Sequence, residues 1–364
     1  MLKSLRIQNY RGIADLSIEQ LGRVNLIVGE NNCGKTCVLE AIQLLLNSHD
    51  GRTIEEIASR RGEQFSQIRR SQMDIEESRY FDCRHIFHGR ELVESISASI
   101  HGTSDTAEPC SLSICFNTGD NIVNTSGADG HGKLQNRNND AAELSLKWND
   151  GQLSFQGNTE GYCEIGTSSG FAFGRFNLSR SSNLVSTRGM SAEEITQHLS
   201  SIMLLSEEAF VISALQSIDE TIERIAPASD GHLTSVVVNC SNQPPRIPLR
   251  SLGDGIYRML GLALGLAASR GKVLLVDEID SGLHYTVMEK MWKLLFETSK
   301  QLNVQVFATT HSRDCIDALA SISREGVFED SEVMIHRIEA GKSKSISYSE
   351  ATIKAVAEFG NEVR

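Results

Sequence analysis

The sequence predicts an α/β protein: a mixed sheet flanked by helices, with an inserted lobe of antiparallel β and helical segments. Three observations predict it. Residues 24–28, Val-Asn-Leu-Ile-Val, read as a buried strand that passes through a glycine-bounded loop at 29–36 into an apolar helix over 37–46. A second apolar run, Val273-Leu274-Leu275-Val276, ends in Asp277-Glu278. Between them, from Glu91 to about Phe176, short runs alternate polar and apolar residues, the period of strands with one wet face.

The loop reads Gly29-Glu30-Asn31-Asn32-Cys33-Gly34-Lys35-Thr36 and fits Gly-x-x-x-x-Gly-Lys-[Ser/Thr]. Strand, glycine loop and helix together are the context this phosphate-binding pattern requires. Gly29 and Gly34 let the backbone curl so that several N–H groups, those of Asn31 and Asn32 among them, converge on one anion. The following helix adds its positive end. Lys35 supplies a mobile charge for the outer phosphates, and the Thr36 hydroxyl suits Mg²⁺.

Nucleotide chemistry also needs acids, and the strand at 273–276 delivers two. Asp277 would reach the metal shell, and Glu278 would orient or deprotonate the attacking water. Upstream, Ser251-Leu252-Gly253-Asp254-Gly255 opens an apolar helix and forms a second anion cradle. One chain does not easily use two cradles on one phosphate; a second copy of the chain can. Downstream, the strand Asn303–Thr310 ends in His311, beside the acids and within reach of a terminal phosphate.

In this order the pieces resemble an ABC-type ATPase, and more narrowly the branch of RecF, SMC and overcoming-lysogenization-defect (OLD) proteins. The opening Leu5-Arg6-Ile7-Gln8-Asn9-Tyr10-Arg11-Gly12-Ile13 is similar to that branch's first strand, and Asp280-Ser281-Gly282-Leu283-His284 looks like its D-loop. The matching segments cover about 1–47 and 232–320, under half the chain. The resemblance implies a P-loop NTPase core, with Lys35 and Thr36 on phosphate and Mg²⁺, Asp277 on Mg²⁺, Glu278 as catalytic base and His311 sensing the terminal phosphate. Ser251 and Gly253 would touch ATP held by a partner subunit, and Ser281 would cross the seam. Arg11 would approach the nucleotide near its α-phosphate or base. Two positions depart from the family pattern, Arg250 where Leu is usual and Asp254 where Gln is common. The family's Q-loop glutamine has three candidates, Gln64, Gln67 and Gln72. OLD nucleases add a Toprim domain; its early Glu and later Asp-x-Asp are not found here, so the expectation is the ATPase part alone.

Composition sets further bounds. The 364 residues are 40% hydrophobic, enough for a large core. A net charge of −12 argues against a surface broadly adapted to nucleic acid, although Arg52, Arg60, Arg61, Arg69 and Arg70 cluster locally. No apolar run reaches spanning length and the start is not a secretory signal, so the expectation is a cytoplasmic protein. The eight cysteines lack Cys-x-x-Cys spacing and read as reduced thiols, with Cys33 expected to be accessible. His85 and His88 would share a helix face but lack the companions a metal site needs.

Along the chain, 1–47 and 232–364 read as the two parts of the ATPase core and 48–231 as the inserted lobe. Residues 48–90 look helical. Strands are expected at 95–100, 111–116, 143–148 and 152–155, the last two joined by Asn149-Asp150-Gly151, and 117–139 reads as a mobile loop. Ser191-Ala192-Glu193-Glu194 fits a capping box, and a helix is expected over Glu207–Ile225. Strand Val236–Val238, a break at Pro244-Pro245, two late strands and a terminal helix complete the reading.

The functional expectation is an ATPase whose ATP-driven homodimerisation, with possible higher oligomers, controls a separate effector such as a nuclease or toxin. The resemblance to OLD chains points to bacterial anti-phage defence. The alternatives are a RecF-like ATPase of repair that binds DNA directly, and a scaffold that binds ATP without turnover.

Overall fold

The computed structural model describes residues 1–70, 75–105, 110–118, 141–149, 151–166, 169–172, 181–229, 234–242, 246–326 and 332–353. The chain begins with β1 (Leu2–Tyr10), β2 (Ile13–Ile18) and β3 (Val24–Val28), then α1 (Lys35–Leu46) and α2 (Arg52–Arg60). A run of strands follows: β4 (Gln64–Arg70), β5 (Ile75–Asp82), β6 (Ser95–Ser104), β7 (Cys110–Thr118), β8 (Ala141–Trp148), β9 (Gly151–Asn158), β10 (Tyr162–Glu164), β11 (Ser169–Ala172) and β12 (Ser182–Val185). Next come α3 (Ala192–Ile202), α4 (Ser206–Gln216), β13 (Ile222–Ser229), β14 (Thr234–Cys240), β15 (Ile247–Pro248) and α5 (Asp254–Ala268). The chain closes with β16 (Val273–Val276), α6 (Tyr285–Gln301), β17 (Gln305–Thr309), α7 (Arg313–Arg324), β18 (Val333–Arg337) and β19 (Ile346–Ser349).

A six-stranded sheet ordered β12-β16-β17-β3-β18-β19 positions the site. Its pairs are parallel except β18 with β19. Residues of β3, β16 and β17 are buried throughout, as a sheet covered on both faces requires. Alternate side chains enter different cores. Leu26, Leu274, Val276, Val306 and Ala308 join the core built with α3 to α7. Ile27, Leu275 and Phe307 join a second core with α1 and a ten-stranded sheet. That larger sheet runs β2-β1-β6-β7-β8-β9-β10-β5-β4 with β11 added on β9. Helix α1 is wedged between the sheets, touching β6 and β7 on one side and β16 and β17 on the other. This accounts for its all-round apolar sequence, with every residue from Cys37 to Leu46 buried.

The capping box closes on α3: Ser191 Oγ accepts from Glu194 N and Glu194 accepts from Ser191 N. The expected hairpin pairs Trp148 with Gly151; Asp150 at its tip lies outside the described residues, as do 119–139 of the expected loop, Pro244-Pro245 and 354–364 of the expected terminal helix.

Three expectations change. Residues 64–70 and 75–82 pair as strands β4 and β5, not helix, because Phe65 stacks on Tyr80 across the strands and meets Tyr162 edge-on at 5.0 Å, contacts that only the tertiary fold supplies. Helix α4 ends at Gln216, and Ile222 and Ile225 sit on β13. Asp219 accepts from Thr221 N and Oγ1, turning the chain before it enters β13. Finally, the strands between 48 and 231 do not stand apart from the core: β6 pairs with β1, and β12 pairs with β16 in register Ser182 to Val273. Gly265 of α5 permits that last arrangement, since a Cβ there would lie 2.9 Å from Val185.

One buried group makes this packing sensitive to pH. His336 on β18 is fully buried between Asn25 and Ser347, and burial lowers its pKa from 6.5 to about 4. The unfolded chain therefore takes up a proton between these values that the native state refuses, so stability falls as pH drops from 6.5 towards 4. We expect His336 alone to make the protein about 2 kcal/mol less stable at pH 5 than at pH 7.5. Urea unfolding across that range should show the slope, and His336→Asn should flatten it.

Candidate functional site

The loop after β3 and the end of β16 meet. Thr36 Oγ1 lies 3.2 Å from Asp277 Oδ1 although 241 positions separate them. Gly29 has φ +146, and a Cβ there would fall 2.3 Å from Ile338 O and 2.8 Å from Cys33 Sγ, so only glycine keeps this loop. Gly34 and Asn32 also have positive φ. Lys35 Nζ donates to Gly29 O at 2.8 Å and Glu30 O at 2.7 Å, curled over its own loop. Cys33, expected to be accessible, is buried against Gly29, so its thiol is shielded by the fold itself.

Asp277 is held by hydroxyls from separate elements. Thr309 Oγ1 donates to its Oδ1 at 2.7 Å and Thr187 Oγ1 to its Oδ2 at 3.0 Å. Thr309 Oγ1 also accepts from Glu278 N at 2.8 Å, which couples the two acids. Glu278 adopts φ +46, a left-handed conformation that a non-glycine residue holds only when its surroundings impose it. Arg258 of α5 contributes to that imposition. Its buried guanidinium donates to Ser186 O, Asp277 O and Glu278 O at 2.7, 2.9 and 2.8 Å, and burial lowers its pKa. His311 Nδ1 stands 3.6 Å from Glu278 Oε1, with both side chains partly open to solvent. Beyond them Thr310 Oγ1 donates to Asp280, tying the D-loop to the strand end.

The second cradle lies elsewhere on the surface. Ser251 is exposed on a 3₁₀ turn, Leu249–Leu252, and Gly253 (φ +108) caps α5. Among the described residues neither bonds to the 29–36 loop. Arg250, the departure from the family pattern, rests its guanidinium 4.2 Å above the Tyr257 ring.

Arg11 sits in the turn between β1 and β2. Its guanidinium is committed to two carboxylates, Glu40 at 3.1 Å and Glu63 at 2.7 and 2.9 Å, and is 6% exposed. Burial opposes its charge, yet Tyr10, Glu63 and Glu40 outweigh burial and raise its pKa. Glu40 also takes Arg61 at 2.7 Å, so the cluster clamps α1 between the β1–β2 turn and the end of α2. Of the Q-loop candidates, Gln64 donates to Glu55 O on the β4 side and Gln72 lies outside the described residues; Gln67 sits on β4. Thr187, after β12, stands beside Asp277 instead. His85 faces Asp82 and His88 bonds Arg11 O, so they do not share a helix face.

A hydroxyl beside a carboxylate suits Mg²⁺, which keeps waters and takes substrate phosphates as its other ligands. Among the described residues no cluster of three His, Cys, Asp or Glu forms an all-protein cage. Thr36 and Asp277 would hold the ion. When bound it would neutralise charge on the outer phosphates.

A glycine loop on one parallel strand facing paired acids on another defines a P-loop ATPase. The chain belongs to the AAA ATPase domain family, whose model matches residues 1–202, more than half of it. A second model, described as an AAA domain assigned to the AbiEii toxin of a Type IV TA system, matches 175–315. An ATP/GTP phosphatase of Helicobacter pylori is 23% identical over 357 residues, covering 90% of both chains. The DNA replication and repair protein RecF of an Exiguobacterium species is 40% identical over 55 residues, 15% of each chain. The fold is similar to a Smc head domain solved with the C-terminal domain of ScpA from Pyrococcus furiosus (TM-score 0.52, 12% identity, 99% of both chains covered). No helix among the described residues is long and apolar enough to cross a membrane.

Removing Arg11 should leave Glu40 and Glu63 buried without their shared cation. We expect Arg11→Met to cost about 3–5 kcal/mol of stability with no nucleotide present. Thermal unfolding of the nucleotide-free protein measures this; an unchanged midpoint would return Arg11 to a ligand-binding role.

Proposed function

We propose that two copies of this chain close over ATP and Mg²⁺, hydrolyse the ATP, and use the cycle of closing and opening to control a separate partner. The observation that carries this reading is the meeting of Thr36 with Asp277 at 3.2 Å, beside Glu278 and His311. The loop N–H groups and Lys35 hold the outer phosphates. Glu278 accepts a proton from water as its oxygen attacks the terminal phosphorus. The bond from that phosphorus to the bridging oxygen breaks, leaving ADP and inorganic phosphate. His311, 3.6 Å from Glu278, orients the terminal phosphate. Ser251 and Gly253, exposed at the start of α5, serve the phosphate of the opposite subunit. Arg258 joins that same helix to the backbone of Asp277 and Glu278, so a contact made in one subunit is felt at the acids of the other site.

The partner class we favour is an effector such as a nuclease or toxin, acting in bacterial anti-phage defence. The toxin–antitoxin description of the second matching model supports that context. The local match to RecF favours the second reading, a repair ATPase that binds DNA directly, but the charge of −12 weighs against it.

Glu278→Gln should lower turnover about 10²–10⁴-fold while ATP binding persists, and the ATP-bound dimer should accumulate in light scattering. Unchanged turnover would remove Glu278 from its role. The shared site has its own test. Lys35→Ala and Ser251→Arg should each be inactive, yet an equal mixture should recover about a quarter of wild-type activity, because half the random pairs are mixed and each carries one intact site. No recovery would argue against a site built from two subunits.

A further inference from the structure

Asp277 has two sides. Towards β17 lie Thr309 and, one step on, Glu278 and His311. Towards β12, the edge strand of the six-stranded sheet, lies a cavity of about 290 Å³ that starts at Thr36 and Asp277 and reaches Arg60, Arg61, Leu184 and Arg188. The last four residues also line a wider cavity of about 940 Å³, which continues past Ser59 and Asn183. Sharing these four residues, the two spaces adjoin at the sheet edge and together mark a path from Thr36 and Asp277 to the outer cavity.

Three arginines, Arg60, Arg61 and Arg188, line its neck together with Glu40. Among the described residues Arg60 donates to the neutral Gln43, at 2.7 Å, with Glu40 and Glu56 near enough to favour its charge. Arg188 is exposed and has no hydrogen-bond or ion-pair partner among the described residues. Arg61 is matched by Glu40, which Arg11 shares. Three acids line the outer wall: Asp50 takes Arg52, Glu194 caps α3, and Glu56 stands beside them. Guanidinium groups lining a narrow opening raise the local concentration of oxyanions.

We propose that this passage is the exit for inorganic phosphate, used while the dimer seam is still closed. The proposal rests on the two-subunit ATPase reading, in which the partner's Ser251 and Gly253 cover the front of the site. Phosphate formed there would be trapped in front, whereas the opening beside Thr187 leads out behind Asp277. Release of phosphate would then precede, and permit, opening of the seam.

The experiment uses the full chain with Mg²⁺ and ATP. Chemical quench measures the hydrolysis step, a fluorescent phosphate-binding protein measures release, and energy transfer between labelled subunits measures seam opening. Wild type should release phosphate before the seam opens. Ser59→Trp, which plugs the outer cavity, and Arg188→Glu, which reverses charge at the neck, should leave the quenched step intact and slow release about tenfold or more; Arg188→Lys should restore it. Release that keeps wild-type speed in both variants, or that coincides with seam opening in wild type, would overturn the passage. A wild-type chain with no quenched hydrolysis would instead sink the ATPase reading, and the passage with it. The intact quenched step certifies folding, and either variant suffices if the other does not fold.

Discussion

The site depends on one carboxylate gathering hydroxyl groups from places far apart in the chain. Asp277 receives Thr309 from the end of β17 and Thr187 from the end of β12, and it meets Thr36 at the start of α1. A carboxylate has about four acceptor positions, so the protein hydroxyls leave little freedom to its two oxygens. Its direction is thereby fixed before any ligand arrives, and so is that of Glu278, whose backbone N–H ends on the same Thr309.

That arrangement needs strand ends in alignment, and the packing supplies it. Parallel register places Thr309 opposite Ile27 and Val276 opposite Ala308, so the loop after β3, the acids after β16 and His311 after β17 leave the sheet on one edge. Alternate burial locks the register, because a one-residue slip would exchange side chains between the two cores. Helix α1 fills the space between sheets and is anchored through Glu40 to Arg11 and Arg61.

How much of this was legible follows from range. Local patterns carried the loop, the strand before it, the acid pair, the capping box and the hairpin at 143–155, since neighbouring residues decide each. Residues 64–70, 75–82 and 222–229 escaped because aromatic contacts and a turn at Asp219, not propensity, decide them. Thr187 follows a strand, Ser-Asn-Leu-Val, with only two apolar residues, so nothing local marked it. Arg258 was hidden inside an apolar helix, its role resting on carbonyls that no side-chain pattern encodes. Arg11 shows the converse: its motif position was read, while the carboxylates that capture it lie 29 and 52 residues later.

The place of β3 in the sheet has a consequence for synthesis. Its two neighbours are β17 and β18, so the strand that carries the phosphate loop has no sheet partner until residues near 309 and 337 have been made. Strands β1 and β2 can pair at once, but the apolar run between them and α1 must wait for β17 and β18. A nascent chain would therefore lack sheet partners for Leu26 and Ile27 until those residues are made, and ribosome-associated chaperones would have a defined segment to shield. Nucleotide affinity would be acquired abruptly, once those partner strands are made, and not built up in stages.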